Sequence, residues 1–319
     1  MKVDLFYLSP NPYGGWVTYT AHLMRCLEAN GIEAKLFKIR PNTENRERDF
    51  GYGVKYRNIS INDATLLGNR KLIVAAAKNF AQETLWLYCS GAGLVVHDPT
   101  ELKNLPMLSD NIIVVRRAGL KYIPSATFIR HPYSALPYDH APKQHHAVST
   151  CRIDFDKHTD ILLDANRLLP ENKRIHIRGF ENRIYTRFKI VPKYPEWEQS
   201  KAAYPRTATA AYDLLKQATY AVDMSQIKGD GGGTQYSFLE AMNAGAINII
   251  HASWLRNQDD MVNGENCVAI NGPGELASLL DSDIHQDDRA RIVNNGLKHL
   301  AHHSPEVVGP QYKKFLEAL

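Results

Sequence analysis

Residues 3–39 read VDLFYLSPNPYGGWVTYTAHLMRCLEANGIEAKLFKI, and this stretch decides the fold class. It opens with a short apolar run, typical of a buried strand, which ends in a turn-rich loop that contains Gly14 and Gly15. Apolar residues then recur at helical spacing up to Asn30, and the residues after it alternate as a second strand. Strand, glycine loop, helix and strand form one βαβ unit, which predicts parallel strand pairing and an α/β domain.

The same alternation continues along the chain. Further strands of the first domain are predicted at residues 85–89, 93–96, 112–116 and 125–129. After a segment rich in Pro and His, at residues 130–144, the pattern starts again. The second set of strands is predicted at residues 145–150, 174–178, 220–224 and 246–251, and its helices at residues 158–169, 208–216, 236–243, 273–280, 287–302 and 305–319.

Length and composition agree with two domains. The chain has 319 residues and 44% hydrophobic content, enough for two cores of roughly 150 residues each. No apolar stretch approaches the roughly 18 residues of a membrane-spanning helix, and the amino terminus lacks the pattern of a signal peptide. The four Cys residues are far apart, which argues against a zinc site and fits a reducing compartment. We therefore predict a cytoplasmic protein, while its oligomeric state stays open.

The net charge of +4 hides an uneven distribution. Residues 170–193 carry +5 and residues 111–147 carry +4, so the remaining chain sums to −5. This concentration suggests an anionic partner, either the phosphates of a small ligand or a polyanion. Two solvated basic stretches without a ligand are the alternative.

Two glycine loops precede predicted helices. The denser one contains Asp230, Gly231, Gly232, Gly233 and Thr234. Three consecutive glycines cost backbone entropy, so a ligand-facing loop explains them better than a simple connection. Glu240 on the next helix would then accept hydrogen bonds from hydroxyl groups of the same ligand, unless it is an ordinary exposed glutamate. At Gly14 and Gly15, backbone N–H groups and the helix dipole would approach an anion or a sugar, and a plain tight turn is the alternative.

Charged side chains follow predicted strands at the ends where ligands bind in parallel sheets. Arg152 and Lys157 could clamp a diphosphate and stabilise its charge as it leaves. Between them, Asp154-x-Asp156 is a short pattern that chelates a divalent metal in other sugar-transferring enzymes. Because cations stand on both sides of it, we expect salt bridging or capping in preference to metal binding.

His97 and Asp98 follow the predicted strand at residues 93–96. Such a pair could orient sugar hydroxyls or assist proton transfer. Helix capping by Asp98 is the competing interpretation.

Taken in order, these motifs resemble the retaining glycosyltransferases of the GT-B fold. The likeness spans nearly the whole chain, and its most specific part is the segment FLEAMNAG at residues 238–245, which is similar to the nucleotide-sugar segment of that family. The resemblance implies two Rossmann-like domains facing a central cleft, at residues 1–143 and 144–304, and a final helix at residues 305–319 that crosses back to the first domain. It implies a nucleotide-diphosphate sugar, with a UDP-sugar preferred, as co-substrate, and no required cofactor or metal.

The resemblance also implies roles for individual residues. Glu240 would hold the ribose hydroxyls, and Gly15 would face the phosphate from the other domain. Where the family usually has an acidic residue, this chain has Gly232, and Asp230 is the candidate substitute. The implied catalytic residues are His97, Asp98, Arg152 and Lys157. The implied donor-binding residues are Gly14, Gly15, Gly179, Asp230, Gly231, Gly232, Gly233, Thr234 and Glu240.

Within this fold the chain is also similar to phage α-glucosyltransferases that modify hydroxymethylated DNA bases. This narrower resemblance rests on the adjacent His97-Asp98 pair and on the basic residues that follow Gly179. It implies double-stranded DNA as the partner, a flipped base as the acceptor, and the host cytoplasm as the location. The implied DNA-binding residues are Arg116, Arg117, Arg183, Arg187 and Lys189. Transfer to a cell-surface glycan or lipid, and a non-catalytic nucleotide- or nucleic-acid-binding protein, are the alternatives.

Overall fold

A computed structural model of the chain describes residues 1–10, 14–41, 46–98, 101, 108, 110–138, 142–197, 207, 209–226, 233–255 and 260–319. The chain divides into two compact units, of which unit 1 comprises Met1–Ser134 with Ala301–Leu319 and unit 2 comprises Ala135–Leu300. The chain therefore leaves unit 1 after Ser134, builds unit 2, and returns. The sequence-based boundaries at residues 143/144 and 304/305 fall nine and four residues later.

Unit 1 contains one sheet flanked by helices. Its strands are β1 (Lys2–Leu8), β2 (Glu33–Ile39), β3 (Arg48–Gly51), β4 (Val54–Ile59), β5 (Arg70–Ala76), β6 (Gly93–Val96), β7 (Ile112–Val114) and β8 (Thr127–Phe128). They pair in the order β3-β4-β2-β1-β5-β6-β7-β8, and each neighbouring pair is parallel except the β3–β4 hairpin. The helices are α1 (Gly15–Ala29), α2 (Ile61–Leu66), α3 (Ala81–Cys89) and α10 (Pro305–Ala318), with short 3-10 turns at Lys78–Phe80 and Arg117–Lys121.

The core of unit 1 explains why these residues form these elements. β1 lies inside the sheet and is buried at every position after the first, as the unbroken apolar strands of parallel sheets are. The final helix α10 packs against α1, where the hydroxyls of Tyr19 and Tyr312 lie 2.5 Å apart. Val308 and Leu316 of the same helix are fully buried. Residues far apart in sequence thus share one core.

The prediction of a strand at residues 85–89 is wrong, because these residues form the end of α3. An unbroken apolar run does not distinguish a buried strand from a helix by its periodicity. The exposure pattern does, since Leu85 and Trp86 are 36% and 44% exposed whereas Leu87 is buried. The strand before this helix, β5, and the β3–β4 hairpin were absent from the sequence-based prediction.

Unit 2 contains a second, fully parallel sheet. Its strands are β9 (His145–Ser149), β10 (Ile175–Ile177), β11 (Ala218–Asp223), β12 (Ile247–His251) and β13 (Val268–Ile270), in the order β10-β9-β11-β12-β13. The helices are α4 (Thr159–Leu168), α5 (Arg183–Tyr185), α6 (Ala210–Leu215), α7 (Tyr236–Asn243), α8 (Pro273–Ser282) and α9 (Gln286–Ala301), with a π-helical turn at Thr186–Ile190 and 3-10 turns at Glu171–Lys173 and Ala252–Leu255. The strands and helices predicted for this half are present, with boundaries shifted by one or two residues. Within the described ranges no helix is both long and apolar enough to span a membrane.

Candidate functional site

A buried carboxylate at the end of β11 organises the polar end of the unit 2 sheet. Asp223 is 4% exposed. One carboxylate oxygen accepts hydrogen bonds from the Ser225 backbone N–H and hydroxyl, at 2.9 and 2.5 Å. The other accepts from the side chains of Gln235 and Ser237, both at 2.7 Å. Asp223 therefore ties the residue before α7 and the first turn of that helix to the strand end.

Asp223 is held in its ionised form. Burial by itself raises its pKa, but the positive charge of Lys157 and hydrogen bonds from Ser225 and Cys151 outweigh burial and lower the pKa below its ordinary value. Sequence reasoning missed this residue. The sequence does contain an indication of its role, because an aspartate at the end of an otherwise apolar strand needs buried hydrogen-bond partners.

Lys157 lies beside this network. Its ammonium group is 3.5 Å from the amide oxygen of Gln235. Among the residues that the structure describes, it forms no ion pair within 4.0 Å. Its charge stabilises ionised Asp223 from beyond ion-pair distance, and it can also act on a ligand at the start of α7, where backbone N–H groups favour an anion.

Arg152 has a different environment. Its guanidinium group forms ion pairs with Asp154 at 2.8 Å and with Asp156 at 3.1 Å. Asp154 also accepts a hydrogen bond from Asn182 at 2.9 Å. These are the contacts that the salt-bridging interpretation of Asp154-x-Asp156 predicts. Within the described ranges, no group of three or more His, Cys, Asp or Glu side chains is placed to hold a metal ion.

Gly179 is required by a close backbone approach. A Cβ atom at this position would lie 1.9 Å from the carbonyl oxygen of Cys151, a distance that no side chain tolerates. Gly179, the second residue after β10, thus packs directly on the loop that carries Arg152. The structure gives Gly179 a packing role, and its predicted contact with the donor stays a prediction.

Glu240 is a partly buried carboxyl group on α7. It has no side-chain hydrogen bond or ion pair with any described residue. Burial raises its pKa to about 8. Burying a carboxyl group without hydrogen-bond donors costs free energy unless a ligand supplies them. This property distinguishes Glu240 from an ordinary exposed helix glutamate.

The glycine loop before α7 is described only in part. Gly233 has a φ of 110°, which favours glycine. The Thr234 hydroxyl is buried and lies 3.5 Å from His299. The predicted contributions of Asp230, Gly231 and Gly232 lie outside the described residues.

In unit 1, the two glycines before α1 differ from each other. Gly14 has a φ of 100° with an extended ψ, a conformation that only glycine adopts readily. At Gly15 an added Cβ would meet no atom within 4 Å. Backbone conformation thus explains Gly14, whereas at Gly15 no atom of the described residues would obstruct a side chain, so its predicted contact with a ligand stays a prediction.

His97 is held in one orientation and is neutral. Its ring Nε2 lies 2.9 Å from the carbonyl oxygen of Val74, so Nε2 carries the proton and Nδ1 remains an acceptor. The ring packs edge-on against Tyr19 with centroids 4.6 Å apart. Burial lowers the pKa of His97 to about 4; the Val74 contact opposes this, and the charge of Arg116 adds to it. His97 can accept a hydrogen bond near neutral pH but cannot supply a positive charge.

Glu101 completes the turn that follows His97 and was missed from the sequence. Its carboxyl oxygens accept hydrogen bonds from the backbone N–H groups of His97 and Asp98, at 3.2 and 3.1 Å. Its own N–H donates to the carbonyl oxygen of Asp98 at 2.9 Å. The contact from the Asp98 N–H to the Glu101 carboxyl group is one of the two hydrogen bonds of a capping box. Burial raises the pKa of Glu101 to about 8. Glu101 thus caps the backbone N–H of Asp98, while capping by the Asp98 side chain, the competing interpretation, stays a prediction.

The five predicted DNA-binding residues fall into two groups. Arg183, Arg187 and Lys189 are exposed and follow one another along the helical segment at residues 183–190 of unit 2. Arg116 instead lies close enough to His97 and Glu101 to shift the pKa of both. Arg117 stacks over the ring of Phe128 at 4.8 Å. The first group thus lies on one exposed segment of unit 2, whereas Arg116 and Arg117 belong to unit 1.

Comparisons with known proteins give structural neighbours but no sequence relatives. No protein-family model matches the chain, and no curated protein sequence matches it. Anabaena HepE, solved with UDP-glucose, is 12% identical with a TM-score of 0.69 over 99% of this chain and 100% of its own. A mutant of S. aureus TarM, solved with fondaparinux, alpha-GlcNAc-glycerol and UDP, is 10% identical with a TM-score of 0.70 over 98% and 99%. The pneumococcal O-GlcNAc transferase GtfA, solved with UDP and GlcNAc, is 10% identical with a TM-score of 0.68 over 100% and 99%.

At these identities the likeness shows the fold alone. It covers both units and almost the full length of each neighbour. The predicted fold class, an α/β protein of the GT-B type with two Rossmann-like domains, is confirmed.

Proposed function

We propose that this protein is a glycosyltransferase that moves a sugar from a UDP-sugar to a hydroxyl group of a cell-surface glycan or glycolipid. The observation that carries the proposal is Glu240, a partly buried carboxyl group with no partner among the described residues. It lies on α7, the helix whose start is fixed by Asp223 and Gln235. Three structural neighbours were solved with UDP or UDP-glucose.

The start and the second turn of α7 suit the two parts of a nucleotide diphosphate. The hydroxyls of a ribose are donors that would satisfy the carboxylate of Glu240. Lys157, which has no ion pair among the described residues, would face the diphosphate at the start of the helix. Arg152 is already neutralised by two aspartates, so we assign the larger electrostatic role to Lys157 and expect Arg152 to order the loop.

For the chemical step we carry over retention of configuration and independence of metal from the family resemblance. As the bond between the sugar and the diphosphate breaks, negative charge grows on the leaving phosphate. Lys157 and the backbone N–H groups at the start of α7 would stabilise that charge. The acceptor hydroxyl attacks from the same face, and its proton passes to the leaving phosphate. His97, neutral with Nδ1 as an acceptor, would orient a sugar hydroxyl.

The neighbours favour the glycan alternative over the DNA acceptor predicted from the sequence. The sugar-containing ligands of TarM and GtfA are fondaparinux, alpha-GlcNAc-glycerol and GlcNAc. The narrower resemblance to phage DNA glucosyltransferases gains no support from them. A hydroxyl of a glycan or glycolipid is therefore the acceptor that we propose.

Incubation with a panel of UDP-, GDP- and ADP-sugars, with glycan acceptors and with hydroxymethylated duplex DNA, tests this proposal. We expect UDP release that depends on a glycan acceptor. The Glu240→Gln variant should lose most UDP binding by calorimetry, whereas Glu317→Gln, an exposed glutamate on α10, serves as the matched control. UDP binding without turnover would support the non-catalytic alternative, and release that requires DNA would restore the DNA acceptor.

A further inference from the structure

An exposed segment of unit 2 combines unpaired cations with exposed apolar side chains. Asn182 caps it, because its side-chain oxygen accepts hydrogen bonds from the N–H groups of Ile184 and Tyr185. α5 and the following π-helical turn then run to Ile190, which is buried together with Tyr185. One face of the segment is thus anchored in unit 2, and the other face is exposed.

The exposed face contains two large apolar side chains four residues apart. Ile184 is 63% exposed and Phe188 is 64% exposed. Phe155, from the loop after β9, is also exposed and contacts the ring of Tyr185 with centroids 4.9 Å apart. Single exposed apolar residues are ordinary, but a group of three in one place indicates an interaction surface.

Cations alternate with these apolar residues. Arg183, Arg187 and Lys189 are exposed and form no ion pair with any described residue. Nearby cations behave differently, since Lys193 pairs with Asp164 at 2.8 Å and Arg167 pairs with Glu196 at 3.4 Å. The three cations of the segment are therefore available to an external anion.

The two kinds of side chain together select the partner. The phosphates of nucleic acid would attract the cations, but a duplex backbone provides little apolar surface against which an exposed Phe and Ile could be buried. An anionic lipid surface binds both the cationic and the apolar side chains, because apolar side chains enter the headgroup boundary while Lys and Arg face the negative headgroups. Arg187 lies over the ring of Phe188 at 5.5 Å, so charge and apolar area occupy the same spot.

We propose that residues 183–191, with Phe155, form a docking surface for an anionic lipid bilayer. This inference goes beyond the transferase activity and does not depend on it. It assigns three of the seven cations in the basic window at residues 170–193 to a lipid surface. It also fits the predicted cytoplasmic location, since the cytoplasmic leaflet carries the anionic lipids.

Vesicle flotation with the full chain tests the surface. The probes are vesicles of phosphatidylcholine alone and of phosphatidylcholine mixed with phosphatidylglycerol. The wild type should bind only the mixed vesicles. Replacing Arg183, Arg187 and Lys189 together by Ala should weaken that binding about 100-fold, from about fivefold for each cation near the surface. The double variant Ile184→Ser and Phe188→Ser should weaken it at least about tenfold, through lost apolar insertion.

Matched controls separate this surface from general charge and hydrophobicity. Lys313→Ala with Lys314→Ala removes exposed cations from α10, and Leu66→Ser removes an apolar side chain that is 82% exposed. Both controls should bind the mixed vesicles like the wild type. Because all substituted side chains are exposed, unfolding midpoints should stay unchanged and confirm folding.

Two results would overturn the proposal. One is vesicle binding that is absent in the wild type or equal in every variant. The other is binding to duplex DNA that disappears in the triple Ala variant yet survives in the double Ser variant, because that pattern assigns the cations to nucleic acid.

Discussion

Lys157 is the residue on which the proposed chemistry depends most. Its charge has no ion-pair partner among the described residues and lies at the start of α7. We expect Lys157→Ala to slow sugar transfer by roughly 100 to 1,000-fold, or about 3 to 4 kcal/mol, as the loss of one preorganised donor does. Steady-state kinetics with the identified donor would measure this. Lys298→Ala, at an exposed position on α9, should leave the rate unchanged. Equal rates for Lys157→Ala and the wild type would contradict the assignment.

Glu240 should make UDP affinity depend on pH. Its pKa of about 8 in the unliganded protein means that the carboxyl group is largely protonated at neutral pH. Ribose hydroxyls donate better to the ionised form, so affinity should rise as the pH passes through about 8 and level off above it. Calorimetric titrations of UDP across this range would show the rise. The Glu240→Gln variant should give a flat profile, and a slope of the same size in the variant would assign it to another group.

The same carboxyl group should affect folding stability with a defined sign. Its folded-state pKa of about 8 lies above the ordinary value of 4.5. Between these two values the folded state binds more protons than the unfolded state, so stability falls as the pH rises and the loss is complete above about pH 8. The free energy of unfolding of Glu240→Gln should therefore rise relative to that of the wild type as the pH increases from about 4.5 to about 8. Denaturant unfolding of both proteins at several pH values measures the difference, and a constant difference would contradict the raised pKa.

At the scale of elements, the sequence predicted those that have a distinctive period or ending. α1 ends before Gly31, and α7 stands between a glycine loop and an apolar strand, so both were predicted within one or two residues. The strand prediction for residues 85–89 failed because five apolar residues in a row show neither a helical nor a strand period. Strand β5 precedes α3 in the chain, and the sequence-based prediction placed a strand on α3 instead of on β5.

Local motifs in the sequence predict part of the candidate site. Glycines, Lys157 and Glu240 stand at recognisable places beside strands and helices. Asp223 and Glu101 were missed because their roles come from partners that the fold supplies: Gln235 and Ser237 for the first, and backbone N–H groups for the second. The ion pairs of Arg152 with two aspartates likewise depend on the fold, because the sequence spacing of these residues permits the pairs but does not require them.

The connection between β11 and α7 should depend on the charge of Asp223. An Asn at this position can offer only one acceptor oxygen to four donors, so Asp223→Asn should lower the free energy of unfolding of unit 2 by about 3 kcal/mol. UDP affinity should fall as well, because the start of α7 loses its anchor. Ser237→Ala removes one donor and should lower the unfolding free energy by about 1 kcal/mol. Equal stabilities for Asp223→Asn and Ser237→Ala, by denaturant unfolding, would refute the central role of Asp223.

At the scale of the whole molecule, the discontinuous course of the chain gives α10 a specific importance. This helix follows unit 2 in sequence but belongs to unit 1. Val308, Tyr312 and Leu316 are fully buried there, and together they contribute about 4 to 9 kcal/mol by area. Domains are stable by only about 5 to 15 kcal/mol in total, so the stability of unit 1 depends on a helix that follows unit 2 in sequence.

Removal of residues 305–319 should therefore unfold unit 1 and spare unit 2. Hydrogen exchange should show that amides of β1 and β5 lose protection while those of β11 and β12 keep it. Two point variants provide the test should the shortened chain prove insoluble. Tyr312→Ala should destabilise unit 1 by about 3 to 5 kcal/mol through the cavity it leaves. Tyr312→Phe, which removes only the contact with the Tyr19 hydroxyl, should destabilise it by about 1 kcal/mol. Equal loss of protection in β1 and β11 would mean that the two units do not unfold separately.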